Sequence, residues 1–233
     1  MTHQVYFDLT PTTRIPGVGF GTYLIDNETV GDAVSTAIRS GYRHIDTAEG
    51  YRNEQGVGQG IRNAMSELGL QRSDIFVTTK LWPGNAAWGH PVKDAAATIR
   101  SLDESLERLQ MDYVDLYLIH APYGDRIEAW KGLVELRQQG KARAIGVSNF
   151  SQAHIEELTV AGLPLPDANQ IELHPWSQKP DLVSFLKDHG VSIIAYSSLV
   201  PLSTWRTAEG HGSAKTDKMK ADGAADTSPF KVM

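Results

Sequence analysis

The chain has 233 residues, 41% hydrophobic and 21% charged, which is enough for one sizeable core and leaves one domain as the default. A net charge of −6 and an isoelectric point near 5.7 argue against a general nucleic-acid footprint, and the lack of cysteine excludes disulfides and thiolate metal ligands. Met1-Thr2-His3-Gln4-Val5 lacks the basic-then-apolar form of a signal peptide, and no apolar run reaches the ~18 residues of a membrane span. We therefore expect a soluble cytoplasmic monomer with no nucleic-acid or membrane partner.

In chain order, Val5 to Leu9, the turn residues Thr10-Pro11-Thr12-Thr13 and then Arg14-Ile15-Pro16 predict a small hairpin, suited to plug the bottom of a barrel. From Val18 onward, short apolar runs alternate with helical patterns. Strands are expected at 18–21, 43–46, 75–80, 114–119, 144–148, 169–172 and 192–196, and helices near 28–40, 53–68, 91–109, 126–139, 151–161 and 180–189. The clearest helix is 91–109, where Val92, Ala95, Ile99, Leu102, Leu106 and Leu109 form one apolar stripe and Pro91 suits the first turn. The strands are apolar on both parities, as in Ile193-Ile194-Ala195, which marks them as buried on both faces and parallel.

Such alternation builds either an open doubly wound sheet or a (β/α)8 TIM barrel. Gly17-Val18-Gly19-Phe20-Gly21-Thr22 lies where the first strand belongs, with no acidic strand end in the context a dinucleotide fingerprint needs. Gly56-Val57-Gly58-Gln59-Gly60 lies inside a helical pattern. A barrel is the better choice, because residues at many strand ends then converge on one mouth. Seven strands are expected up to Tyr196. Residues 1–233 thus read as a single barrel domain whose last β/α unit is lacking, with a long loop or disordered segment over 200–233.

Ionisable residues end three successive strands: Asp46 after His44-Ile45, Lys80 after Ile75-Phe76-Val77-Thr78-Thr79, and His120 after Val114 to Ile119. Tyr51 follows Asp46 across a Gly-containing turn. An unperturbed tyrosine, with a pKa of ~10, is a poor proton donor at neutral pH. A buried ammonium stabilises its phenolate, and a carboxylate keeps that ammonium charged. Asp46, Lys80 and Tyr51 supply that chain, leaving His120 to orient a carbonyl oxygen.

These residues resemble the aldo-keto reductase superfamily. Asp46-Thr47-Ala48, Tyr51 and Asn53-Glu54 resemble its first signature, Thr79-Lys80-Leu81-Trp82 its lysine strand and Leu118-Ile119-His120 its histidine strand. Gly140 to Phe150, Asn169-Gln170-Ile171-Glu172-Leu173-His174-Pro175 and Ala195-Tyr196-Ser197 extend the match, which runs from about Val5 to Leu199. The resemblance implies reduction of aldehydes or ketones, a small-molecule carbonyl substrate, and a nicotinamide cofactor, NADPH by preference with NADH possible. It implies Tyr51 as general acid tuned by Lys80 and Asp46, with His120 positioning the substrate. Thr22, Ser148, Asn149, Gln170, Tyr196, Ser197 and Leu199 would contact the cofactor, with Ser148, Asn149 and Gln170 on the carboxamide and Tyr196 stacked on the ring. Tyr23 and Trp82, together with His120, would wall the substrate pocket.

On the residues alone, Ser148-Asn149 suits equally a cap for the helix from Ser151, Gln170 a buried amide bonded to backbone, and Tyr23, Trp82 and Tyr196 ordinary packing. His44 and His174 are expected to be structural. Two departures stand out. Ala121-Pro122 follows His120 where the family often has Trp, widening the pocket on that side. The family's basic phosphate-gripping segment is not found before Met233, and Lys215, Lys218 and Lys220 suit a solvated loop. Other readings are a weakly active nucleotide-binding or regulatory relative, as the potassium-channel β subunits are, and a Schiff-base aldolase using Lys80, which Asp46 would disfavour by keeping the amine charged. A metal site lacks its constellation among the scattered histidines.

Overall fold

The computed structural model describes residues 4–175 and 177–198. They fall into two compact units, one of residues 4–171 with 181–194 and one of 172–180 with 195–198. The expectations for 200–233, for Leu199 and for the three lysines lie outside the described residues.

Strands β1 (Tyr6–Thr10) and β2 (Thr13–Pro16) form the antiparallel hairpin. A seven-stranded sheet follows in the order β3 (Phe20–Gly21), β4 (His44–Asp46), β5 (Phe76–Leu81), β6 (Val114–Ile119), β7 (Ala142–Ser148), β8 (Ala168–Glu172), β9 (Ser192–Tyr196). Each pair from β3 to β8 is parallel, and the connections carry helices α1 (Asn27–Arg39), α2 (Glu54–Leu68), α3 (Ala95–Leu109), α4 (Arg126–Gln138), α5 (Gln152–Val160) and α6 (Pro180–Asp188). Every residue of β5 and β6 is buried, which is why both parities of their sequences are mainly apolar, and polar residues among them are paired: Thr78 with His44, Thr79 with Glu54, and Asp115 with Arg72 and the Val77 N–H.

The hairpin does serve as a plug. Leu9 and Ile15 are buried in one cluster with Phe76, Leu116, Leu118, Ala144 and Ala168, which come from β5, β6, β7 and β8, and Ile194 of β9 packs against it. Contact of one hairpin with side chains from so many strands requires the sheet to curl around it.

Two element starts depart most from the sequence reading. Helix α3 starts at Ala95, with Asp94 as its cap accepting from Ala97 N–H at 2.7 Å, so Pro91 and Val92 precede the helix instead of opening it. The backbone there is committed elsewhere: Lys93 N–H donates to the Pro83 carbonyl at 3.1 Å. Strand β3 is only Phe20–Gly21, since Gly19 lies against His44, whose Nδ1 would be 2.6 Å from an added Cβ, and Val18 is exposed.

The second glycine run serves packing. A Cβ on Gly58 would sit 2.2 Å from the Leu109 carbonyl oxygen, and one on Gly60 would sit 2.4 Å from that of Gly31, so α2 meets α1 and the end of α3 at backbone distance. Polar groups are paired in the same region. Glu54, at the start of α2 and almost wholly buried, accepts from Thr79 Oγ1 at 2.6 Å, Ser105 Oγ at 3.2 Å and Arg108 Nε at 2.8 Å, tying α2 to β5 and α3.

Candidate active site

Asp46, Lys80 and His120 stand at the C-terminal ends of β4, β5 and β6 because parallel pairing sets these ends side by side: Asp46 is in register with Thr78, and Lys80 with Leu118. Tyr51 closes a short 3-10 turn, Glu49–Tyr51, directly after β4. Its sharp exit places Arg52 at a φ of 58°.

Lys80 is 1% exposed, and its Nζ donates to Asp46 Oδ1, to the Thr47 carbonyl at 2.9 Å and to Tyr51 Oη at 3.4 Å. Three acceptors for three N–H groups leave this buried ammonium satisfied. Burial alone would depress the Lys80 pKa, but Asp46 and then Tyr51 outweigh it and hold it above the ordinary lysine value. The other Asp46 oxygen, Oδ2, accepts from Gln170 Nε2 at 2.8 Å.

The phenol corrects one expectation. Burial raises the Tyr51 pKa, and although Lys80 pulls it down, the net shift is upward. The ammonium therefore offsets the cost of desolvating a phenolate without reversing it, and Tyr51 is protonated at neutral pH.

His120 packs edge-on to Tyr51, with ring centroids 5.4 Å apart. Its pKa is lowered to about 4, first by burial and then by Lys80, so the ring is neutral near pH 7. Its Nδ1 is buried without a hydrogen-bond partner among the described residues. A stranded lone pair is cheaper than a stranded N–H, which puts the proton on Nε2.

The carboxamide-type residues gather at the ends of β7 and β8. Ser148 Oγ donates to the Gln170 carbonyl at 2.9 Å, and Asn149 Nδ2 donates to Ser148 Oγ at 3.1 Å and to the His120 carbonyl at 3.4 Å. Neither caps α5; Ser151 does, accepting from His154 N–H at 3.4 Å. Gln170 bonds a carboxylate through its amide instead of backbone. Thr22 is fully buried, with its N–H and hydroxyl on the Asp46 carbonyl and its own carbonyl accepting from Asn53 Nδ2 at 2.8 Å. Tyr196 ends β9 and Ser197 follows at a φ of 55°, both in the second unit. In that unit His174 is buried, with Nε2 3.4 Å from Glu172 Oε1.

Tyr23, half exposed, sets its ring 5.0 Å from that of Tyr51, and Trp82 stands edge-on to His120 at 6.1 Å, so both flank the phenol and imidazole. His44 is buried and hydrogen-bonded to Thr78 Oγ1 at 2.9 Å, a structural role.

Two positioning residues escape the sequence reading. Glu49 accepts from Trp82 N–H at 3.0 Å through one oxygen and from Lys93 Nζ at 2.6 Å through the other, fastening the Tyr51 turn to the Trp82 loop. Asn53, fully buried, accepts from Thr47 Oγ1 at 2.9 Å and donates to the Thr22 and Ile25 carbonyls, fixing the loop that carries Tyr23. The only signal in the sequence is that both belong to the stretch from Asp46 to Glu54. Apart from Thr47, their partners lie far away along the chain.

A parallel sheet curled around a plug thus gathers a lysine–carboxylate pair, a phenol and an imidazole at adjacent strand ends, the end where α/β barrels carry their sites. A profile of the Aldo/keto reductase family matches residues 17–226, and the chain belongs to that family. It is 39% identical over 188 residues to an uncharacterised oxidoreductase of Schizosaccharomyces pombe, covering 80% of this chain and 66% of that protein. It is 41% identical over 189 residues to a glyoxal reductase of Bacillus subtilis, covering 80% and 64%. A crystal structure of a Bombyx mori aldo-keto reductase in complex with NADP superposes with a TM-score of 0.79 at 36% identity, covering 90% of this chain and 71% of that one. The fold is thus that of the (β/α)8 barrel. The chain spans about two thirds of the length of the curated relatives it matches. Among the described residues no helix is long and apolar enough to cross a membrane.

Proposed function

We propose that this site reduces aldehydes or ketones to alcohols with a nicotinamide cofactor, Tyr51 being the general acid. The observation that carries the reading is Lys80 Nζ bonded at once to Asp46, the Thr47 carbonyl and Tyr51 Oη. That cation lies where a phenolate would form. Asp46 keeps it charged, and Gln170 holds Asp46. As the carbonyl oxygen gains negative charge, Tyr51 donates its proton and Lys80 stabilises the phenolate left behind. His120, neutral with its proton on Nε2, donates a hydrogen bond to the same oxygen and sets its direction.

The residues present fit a nicotinamide. A carboxamide needs both donors and acceptors. Gln170 commits its Nε2 to Asp46, which leaves Oε1 as an acceptor, and the Ser148 hydroxyl and Asn149 amide stand beside it at the end of β7. When bound, the reduced cofactor supplies the hydride that the carbonyl carbon receives. The Bombyx mori relative is described in complex with NADP, and a xylose reductase relative from Meyerozyma guilliermondii is named NADPH-dependent, which supports NADPH as the first choice here. The glyoxal reductase of B. subtilis and a methylglyoxal reductase of Escherichia coli support small carbonyl compounds as substrates.

The test is NADPH oxidation by the 233-residue chain with a panel of aldehydes, alongside fluorescence titration of the cofactor. Turnover supports the reading. Cofactor binding without turnover on any aldehyde or ketone moves it to a nucleotide-binding protein, and borohydride trapping of substrate on Lys80 would favour an aldolase.

A further inference from the structure

Past His120 the chain turns back on itself at Ala121. Tyr123 N–H donates to the Ala121 carbonyl at 2.8 Å, a tight turn that brings the Tyr123 ring back towards the loop after β5. That ring meets Trp82 at 5.9 Å and Trp88 at 5.2 Å, both edge-on, while Trp88 lies nearly parallel to Trp82, 14° between planes and 6.1 Å between centroids. Trp82 in turn contacts His120. An unbroken run of rings therefore leads from the imidazole outward to Trp88.

Trp88 is 58% exposed, although it sits on a loop that is held at many points. Asn85 and His90 exchange backbone hydrogen bonds at 3.1 and 3.0 Å, Asn85 Oδ1 caps Ala87 N–H at 3.1 Å, and Lys93 N–H returns to the Pro83 carbonyl. The indole N–H of Trp82 is consumed by His90 Nδ1 at 3.2 Å, so the wall turns carbon faces outward. Holding an indole rigidly in water, beside a site, prepays the ordering cost of a stacking partner.

Resting on the carbonyl-reductase reading, we propose that Trp88, backed by Tyr123, is a specificity-determining residue that favours substrates carrying a flat aromatic or conjugated group next to the carbonyl. The flat group lies on the exposed indole face while the carbonyl reaches Tyr51 and His120. A saturated chain gains less there, because it offers no face to stack.

The test compares kcat/KM for 4-nitrobenzaldehyde and propanal. Trp88→Ala should cut the aromatic-to-aliphatic ratio about tenfold, mainly through KM, and Tyr123→Ala should cut it less, since one aromatic pair and its buried area are worth roughly that factor. Trp88→Phe should restore most of the ratio, and Val160→Ala, at an exposed site far along the chain, should leave it unchanged. Trp88→Leu, which keeps apolar bulk without a flat face, replaces the alanine variant if that fails to fold. A ratio unchanged in Trp88→Ala or Trp88→Leu overturns the proposal. If the wild-type chain reduces neither aldehyde, the redox reading has failed, and equilibrium dialysis of 4-nitrobenzyl alcohol decides the platform separately. Binding weakened about tenfold by losing the indole supports it. Binding that is unaffected, or absent from the wild type, overturns it.

Discussion

Asp46 and Gln170 are 124 positions apart in sequence and their strands, β4 and β8, are separated by three others, yet Gln170 Nε2 donates to Asp46 Oδ2 at 2.8 Å. Only a curled sheet lets side chains of such strands meet. The bond also completes the ordering of the acidic group: one oxygen faces the ammonium and the other faces an amide. The Lys80 ammonium, the Asp46 carboxylate and the Gln170 amide are therefore one connected unit.

Lys80→Met should destabilise the fold by about 3 kcal/mol or more, because it strands the Asp46 carboxylate in the interior. Adding Asp46→Asn should recover much of that loss. Urea denaturation of the single and double variants measures both values, and additive losses would show that the two groups are not coupled.

Glu54→Ala should cost about 3 kcal/mol, since it leaves Arg108, Thr79 Oγ1 and Ser105 Oγ without their shared acceptor. Cofactor titration of the folded fraction should be little altered, because the network lies between α2, α3 and β5 and does not touch Ser148, Asn149 or Gln170. A shifted urea midpoint with unchanged cofactor affinity is the expected pair of results.

Gly58→Ala tests packing against propensity. Alanine favours an isolated helix by about 1 kcal/mol. Here its Cβ would meet the Leu109 backbone at 2.2 Å, so the variant should be less stable than the parent by about 1–3 kcal/mol. A midpoint raised by the substitution would mean that α2 is free to move away from α3.

Acid sensitivity follows from His44 and His120. In the unfolded chain each takes up a proton near pH 6.5, whereas in the fold each resists until about pH 4, chiefly because both are buried. The unfolded state binds more protons between these values, so stability is fully present above about 6.5 and falls as pH drops towards 4. For the more buried His44 the loss is about 3 kcal/mol. Urea midpoints taken from pH 7.5 downward should decline through this window in the parent and more shallowly in His44→Gln.

How legible this was depended on the range of each interaction. The strands carrying Lys80 and His120 were visible because burial on both faces writes an unbroken apolar run, and a charged residue ending such a run is conspicuous. The start of α3 was not, because Pro91 and Val92 imitate a helix entry while Asp94 supplies the actual cap and the preceding backbone is bonded to Pro83. The roles of Ser148 and Gln170 stayed ambiguous for a related reason: the alternative of capping α5 is local and readable, whereas the bonds to the Gln170 carbonyl and to Asp46 exist only once β7, β8 and β4 have curled together. Glu49 and Asn53 were hidden in the same way, as Glu49 bonds Trp82 and Lys93 and Asn53 bonds the Thr22 and Ile25 carbonyls, all on other loops. The direction of the Tyr51 shift was misjudged because a sequence shows the neighbouring cation but not how deeply the phenol is buried.

The central claim is that a buried ammonium, held by Asp46, lets one phenol protonate the substrate oxygen. Single-turnover reduction of an aldehyde by NADPH, compared between the parent and Tyr51→Phe, tests it most directly, with cofactor fluorescence recorded on the same samples. The account predicts a rate at least about 100-fold lower with cofactor affinity retained. A phenylalanine variant that reduces the aldehyde at the parental rate would contradict it.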